Sequence, residues 1–293
     1  MGENIITCPD LYIYEWKLEK HDEMMTGVDN LVDVLTDEHK IEMSSDEKYL
    51  GDIILVDRKN SKNIAARAVK AQGILKQLKN ILEEISFGKY LFEVAVVLRN
   101  SLFVNGILTN LDSSYGLSDS DIEELEKCDE QLLRWILECP CTTPWEMLYL
   151  ELGVTPMRYI IISRRMMFYH YILNEDSKSL IHIFYMVQFR KPVKNDWSLT
   201  VKENLKTLQI VLEEDQIQKL SIYSFKKLVN SAIRKKSFNY LVNPKNSHSN
   251  VKHITFEKLA MQDYLAPSKI SPEVAKFTFL CRGRMVQVGA NLK

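Results

Sequence analysis

Three groups of cations are spaced so that a helix would present them together. They are Arg67 with Lys70; Arg158, Arg164 and Arg165; and Lys226, Lys227, Arg234, Lys235 and Lys236. Guanidinium and ammonium groups fixed along a rigid rod can neutralise successive phosphates of a polyanion, and the planar arginine fork suits a phosphate best. Each group also has a plain structural use. At 100° per residue Arg67 falls in an apolar stripe beside Ile64, Ile74 and Ile85, while Lys76 and Lys79 point away. Its stem can therefore run along a core edge with the head reaching water or an acid, or its head can grip a phosphate. Residues 157–173 are apolar almost all the way round, yet hold Arg158, Arg164 and Arg165. Buried unpaired charge is expensive, so these need partners. Carboxylates such as Glu146 or Glu151 would supply ion pairs; alternatively Arg164 and Arg165, on opposite sides of the helix, would hold backbone phosphates. The third group interleaves with Phe225, Leu228, Ile233 and Tyr240. It reads either as a solvated face or as a nucleic-acid or nuclear-import surface.

Enzyme chemistry finds little support in the residues. His170 and His182 lack a neighbouring metal-ligand spacing, and the 10 glycines are too dispersed for a phosphate loop. No Ser, His and acid form a recognisable nucleophile motif. Two-metal polymerisation needs clustered carboxylates, and no Tyr/Phe-X-Asp-Asp occurs; Asp119 and Asp121 read as helix-capping residues. The five cysteines, at 8, 128, 139, 141 and 281, make no paired CxxC, so free thiols are expected rather than a zinc site. No metal or other cofactor is expected for this chain.

Long helices must carry most of these side chains. The 293 residues hold only 10 Gly and 8 Pro, and apolar residues make up an ordinary 46%. Helical periodicity predicts helices over 60–85, 90–108, 119–136, 144–150, 157–173, 178–189, 196–209, 213–241, 255–264 and 272–285. Ser118-Asp119-Ser120-Asp121 should cap the third. Alternation over 10–19 and the run 48–55 read as strands, and a small N-terminal β-hairpin would join them. The net charge of −1 hides an asymmetry: residues 1–150 carry a balance of −13 and residues 151–293 one of +12. A basic half of that size is a footprint for a polyanion. Every 18-residue window carries charge, which argues against a membrane span, and the acidic N-terminus lacks the layout of a signal peptide. An intracellular protein, nuclear or cytoplasmic, is the expectation.

The strand-like run Lys48-Tyr49-Leu50-Gly51-Asp52-Ile53-Ile54-Leu55, followed by a basic helix, resembles the end of the polymerase domain of RTE-type non-LTR retrotransposon reverse transcriptases. Cys8-Pro9-Asp10-Leu11 precedes that strand in a similar layout. The block Leu148-Tyr149-Leu150-Glu151-Leu152-Gly153 through Ile161-Ile162-Ser163-Arg164-Arg165 resembles the family's post-thumb segment most specifically. The likeness continues through Asn195-Asp196-Trp197, Ser224-Phe225-Lys226, Met261-Gln262-Asp263-Tyr264-Leu265 and Phe279-Leu280-Cys281-Arg282. Departures are Arg58 where the family has a turn glycine, Ser114 in place of a tryptophan, and an end at Lys293 where the family continues toward a cysteine/histidine knuckle.

The resemblance implies a mainly α protein: a helical thumb-like bundle and further packed helices, with a small N-terminal β-hairpin. Residues 1–57 would form the primer-grip-like hairpin, carrying Tyr49, Leu50 and Gly51; 58–150 the thumb; and 151–293 a basic helical region. It further implies a non-catalytic C-terminal part of an RNA-directed DNA polymerase that clasps RNA or RNA–DNA duplex by its backbone. The parent polymerase, with the fingers and palm missing here, would use Mg. The alternatives are a host-adopted helical interaction protein without nucleic-acid binding, or an inactive pseudogene product.

Overall fold

The computed structural model describes residues 60–85, 87–114, 116–190, 196–243, 254–266 and 270–283, together with the backbone of strand pieces such as Asp46–Tyr49 and Asp52–Leu55. Residues 11–18, the first strand of the expected hairpin, lie outside the described residues, as do Leu50, Gly51 and the side chain of Tyr49. From residue 60 onward the fold is mainly helical.

Helix α1 spans Ser61–Glu84 and α2 spans Leu91–Leu98, which continues as π-helix over Arg99–Val104 and ends in α3, Asn105–Leu108. Then come α4 (Asp119–Leu137), α5 (Trp145–Leu152), α6 (Met157–Asn174), α7 (Leu180–Arg190) and α8 (Trp197–Leu208). The last three are α9 (Glu214–Lys219), α10 (Ile222–Leu241) and α11 (Pro272–Arg282). Helix α4 begins where its cap predicts: Ser118 Oγ accepts from the Asp121 N–H, and the Asp121 carboxylate accepts from the Ser118 N–H.

Two differences from the periodic pattern have local causes. The single helix expected over 213–241 breaks at Leu220, whose backbone is extended, and Ser221 caps a new helix by accepting from the Ser224 N–H. The segment 255–264 is not helical. Met261 forms an antiparallel bridge with Leu152, the Gln262 N–H donates to the Glu151 carbonyl at 2.9 Å, and one 3-10 turn follows at Asp263–Leu265. An orphan carbonyl at the end of α5 thus finds its donor in a strap from more than a hundred residues away.

Two hydrophobic cores organise the helices. The first gathers Ile64 and Leu78 of α1, Phe92, Phe103 and Ile107 of the α2–α3 rod, Leu125 and Leu133 of α4, and Met147 and Leu150 of α5; Leu265, Ala275 and Phe279 join it from the C-terminal strap and α11. The second gathers Tyr169 and Ile172 of α6, Tyr185 of α7, Trp197 and Val201 of α8, Ile217 of α9, and Phe225, Val229 and Ile233 of α10. Helix α6 serves both, with Met157 and Ile161 in the first core and Tyr159 and Met166 in the second. That double role accounts for its all-round apolar sequence. At roughly 1.5–3 kcal/mol for each large apolar side chain fully buried, this shared helix anchors the region. The first core also runs across residue 150, since Met157, Leu265 and Phe279 belong to it.

The rod Gly88–Leu108 has the length and hydropathy of a membrane-crossing helix. In the fold its Phe92, Ala95, Phe103, Val104 and Ile107 are buried in the first core, and Tyr90, Val97 and Leu102 are exposed.

Gly153 closes α5 with a left-handed backbone, φ +65°, and a Cβ there would sit 2.0 Å from Met261 N and 2.2 Å from Ala260 C. Gly153→Ala should therefore destabilise by more than the ~1 kcal/mol of the left-handed conformation alone. It should also expose 254–266 to protease. An unchanged urea midpoint would show that the strap does not pack against α5 in this way.

Candidate nucleic-acid interface

Three of the arginines converge on one stretch of backbone. Helix α3 ends at Leu108, and its last carbonyls lack intrahelical donors. Arg67, buried on α1, donates from Nη1 to the Ile107 carbonyl and from Nε to Asn63 Oδ1 at 3.2 Å. Arg164 donates to the Leu108 carbonyl at 3.0 Å and to Asn105 Oδ1. Arg165 donates to the Ser114 carbonyl at 3.1 Å, and Trp197 Nε1 to the Asp112 carbonyl at 2.9 Å. Cations at the negative end of a helix are well placed electrostatically. Arg67 thus points its head into the protein rather than out to water, and Arg164 and Arg165, expected on opposite sides of α6, both reach the 105–114 segment.

Burial holds the Arg164 and Arg165 guanidiniums below their ordinary pKa, Arg165 at about 10, with the Asp112 charge opposing the shift in both. Neither makes an ion pair among the described residues, and Arg165 Nε is buried without a hydrogen-bond partner. One of the carboxylates expected to serve this helix, Glu151, is used differently. Glu151 is fully buried and accepts from Arg282 Nε at 2.8 Å and from the Tyr264 hydroxyl at 2.7 Å. Burial pushes its pKa up, against those two partners. Arg158 pairs instead with Glu126, its Nε 3.0 and 3.1 Å from the two oxygens and its Nη2 at 2.7 Å, and lies 4.8 Å over the Tyr240 ring. Burial opposes the Arg158 charge, and Glu126 more than compensates, leaving its pKa above the ordinary value.

Sequence reasoning missed the most enclosed pair. Arg99 Nε donates to Asp129 Oδ1 at 2.7 Å and Nη2 to Asp129 Oδ2, while the Tyr149 hydroxyl donates to Oδ2 at 3.0 Å. Arg99 also holds the Thr155 carbonyl at 3.0 Å. Arg99 and Asp129 are 1% and 0% exposed. Burial works against the guanidinium charge, and Asp129 raises its pKa overall; burial first and Asp129 second push the Tyr149 phenol well up. One signal was available, a lone arginine in the apolar run 91–108.

The third group faces outward. Helix α10 buries one row of positions four apart: Phe225, Val229, Ile233, Ser237 and Leu241. The two rows away from that seam are Ile222, Lys226, Asn230 and Arg234, and Tyr223, Lys227, Ser231 and Lys235; all eight residues are exposed. The helix has five cations and no acidic residue. Lys236 is half-buried on a third row with Leu228 and Tyr240, and Lys70 is exposed on α1. The structure therefore brings Lys226, Lys227, Arg234 and Lys235 onto one surface, buries Arg67 and Arg165, and holds Arg158 and Arg164 half-buried against partners within the fold.

No protein-family model, no curated protein and no solved structure matches this chain.

The two kinds of buried arginine should respond differently to removal. Arg99→Met strands a buried carboxylate and should cost about 3–5 kcal/mol. Arg165→Met strands none and removes a charge that burial disfavours, so its cost should stay near the ~1 kcal/mol of one lost hydrogen bond. Urea denaturation of both variants reads the difference, and equal large losses would mean that Arg165 has a carboxylate partner in solution.

Proposed function

We propose that this chain binds double-helical RNA or RNA–DNA along its backbone, without reading sequence, through the exposed face of α10. The observation that carries this reading is the gathering of Lys226, Lys227, Arg234 and Lys235 on two adjacent exposed rows of a helix free of acidic residues. From Lys226 to Lys235 is nine residues, or ~14 Å of helix axis at 1.5 Å per residue. That length is commensurate with about four base steps at 3.4 Å. Mobile lysine ammoniums suit phosphates whose positions vary, and such contacts set position and affinity rather than sequence preference.

The resemblance to RTE-type reverse transcriptases points to the same ligand, because a thumb clasps template–primer duplex by its backbone. In this reading residues 1–57 are the primer-grip-like end of the polymerase domain, with Tyr49, Leu50 and Gly51 in its hairpin; 58–150 are the thumb; and 151–293 are the basic region that continues the clasp. The site of action would be nuclear or cytoplasmic. Polymer synthesis is outside the reading, since the chain has no Asp-Asp motif. Primer extension with Mg²⁺ or Mn²⁺ should stay at background, and incorporation that survives repurification would refute the non-catalytic part. A second reading, a helical interaction protein, is favoured by the exposed apolar row Leu180, Ile183 and Val187 on α7.

Duplex affinity should be modest and fall steeply with salt, with log K losing about 0.9 per phosphate neutralised for each unit of log salt. Replacing Lys226, Lys227, Arg234 and Lys235 by Gln should weaken binding on every duplex and flatten that slope by up to about four contacts. Thermal stability should be unchanged, because all four side chains are exposed. A parent chain that binds no duplex at low salt, or a quadruple variant with the parental slope, would leave the interaction-protein reading standing.

A further inference from the structure

Phosphate holding leaves the N-terminal end of the same face unexplained. Tyr223 lies on one row with Lys227, Ser231 and Lys235, at intervals of four residues, and the residue is 75% exposed. Ile222 heads the neighbouring row of Lys226 and Arg234 and is 61% exposed. An aromatic ring this open adds little to either core, yet it extends the cationic track by one further helical turn, ~6 Å beyond Lys227. The preceding helix α9 does not continue the track: with Glu213, Glu214 and Asp215 against Lys219, which pairs with Asp215 at 3.6 Å, it is net acidic. A neutral π-face is the group suited to that boundary, and base stacking on an aromatic ring beside a basic path is how unpaired nucleotides are held without sequence preference.

Resting on the reading of α10 as a nucleic-acid surface, we infer that its ligand carries an unpaired stretch, one base of which stacks on Tyr223 while Lys226, Lys227, Arg234 and Lys235 hold the phosphates that follow. The occupant is thus a junction between duplex and single strand rather than uninterrupted duplex. Charge complementarity selects the polyanion, and the aromatic end of the row selects the unpaired base.

The experiment uses the full chain with two probes: a blunt RNA–DNA duplex, and the same duplex with a short unpaired extension carrying 2-aminopurine. The extension is placed on the 5′ or the 3′ end in separate probes. Binding is measured by anisotropy, and stacking by the fluorescence of the reporter base. An extended probe should bind about ten-fold tighter than the blunt one, within the range of one base–aromatic stack, and its reporter should change intensity on binding. Tyr223→Ala should abolish both the advantage and the fluorescence change, Tyr223→Trp should retain them, and both variants should melt as the parent does. If the parent binds blunt and extended probes alike, or Tyr223→Ala keeps the preference, stacking at Tyr223 is wrong while the phosphate-holding face stands. If the parent binds neither probe at low salt, both fall together.

Discussion

Asp129 sits where water does not reach, and Arg99 and Tyr149 must both bring it hydrogen bonds. The three residues come from α4, the π-helical turn after α2, and α5, and Arg99 extends the connection to the Thr155 carbonyl just before α6. A carboxylate enclosed this way is tolerated only with its partners in place, so the first core can assemble in essentially one arrangement. The π-turn at Arg99–Val104 coincides with this demand: widening the helix there changes the direction of every side chain that follows. The α2–α3 rod consequently delivers its C-terminal carbonyls to the place where Arg67 and Arg164 wait for them.

Arginine and lysine divide the work by their chemistry. Every guanidinium named in the interior holds a carbonyl, an amide or a carboxylate, and several do two of these at once. The planar fork allows this at a smaller desolvation cost than a compact ammonium would incur. Lysines dominate the open face of α10, where their ammoniums stay in water. The basic C-terminal half is therefore not uniformly a polyanion surface: part of its charge is absorbed by helix ends and carboxylates, and only the exposed remainder is free to attract phosphates at long range.

The strap 254–266 and α11 tie the end of the described chain to α5. Glu151 takes Tyr264 and Arg282, the Leu152–Met261 bridge continues the backbone pairing, and Arg282 lies over the Tyr264 and Phe256 rings. Burial raises the Glu151 pKa, so Arg282 and Tyr264 are needed to keep its charge acceptable. A helical periodicity over 255–264 gives way to this irregular strap because backbone donors matched to the end of α5 matter more than local propensity.

The amino-acid sequence by itself determined the helical class, most helix positions and the central place of α6. Those properties follow from spacing along one element: a 3.6-residue apolar stripe, a Ser-x-x-Asp cap, and a segment apolar on all sides that can only lie between two cores. It likewise determined that Lys226, Lys227, Arg234 and Lys235 share a helix, while the break at Leu220 that sets Glu213, Glu214 and Asp215 apart from it appeared only in the structure. Tertiary structure decided which charges are spent. Asp129 is 30 residues from Arg99, Glu126 is 32 from Arg158, Glu151 is 131 from Arg282, and Ser114 is 51 from Arg165. No periodicity encodes such partners, because they are chosen by which helix ends and carboxylates packing brings within hydrogen-bond reach. Arginine on an apolar helix therefore reads alike in sequence whether it grips a phosphate or holds a neighbouring carbonyl; that Arg67, Arg164 and Arg165 reach the carbonyls of residues 107, 108 and 114 is visible only in the structure.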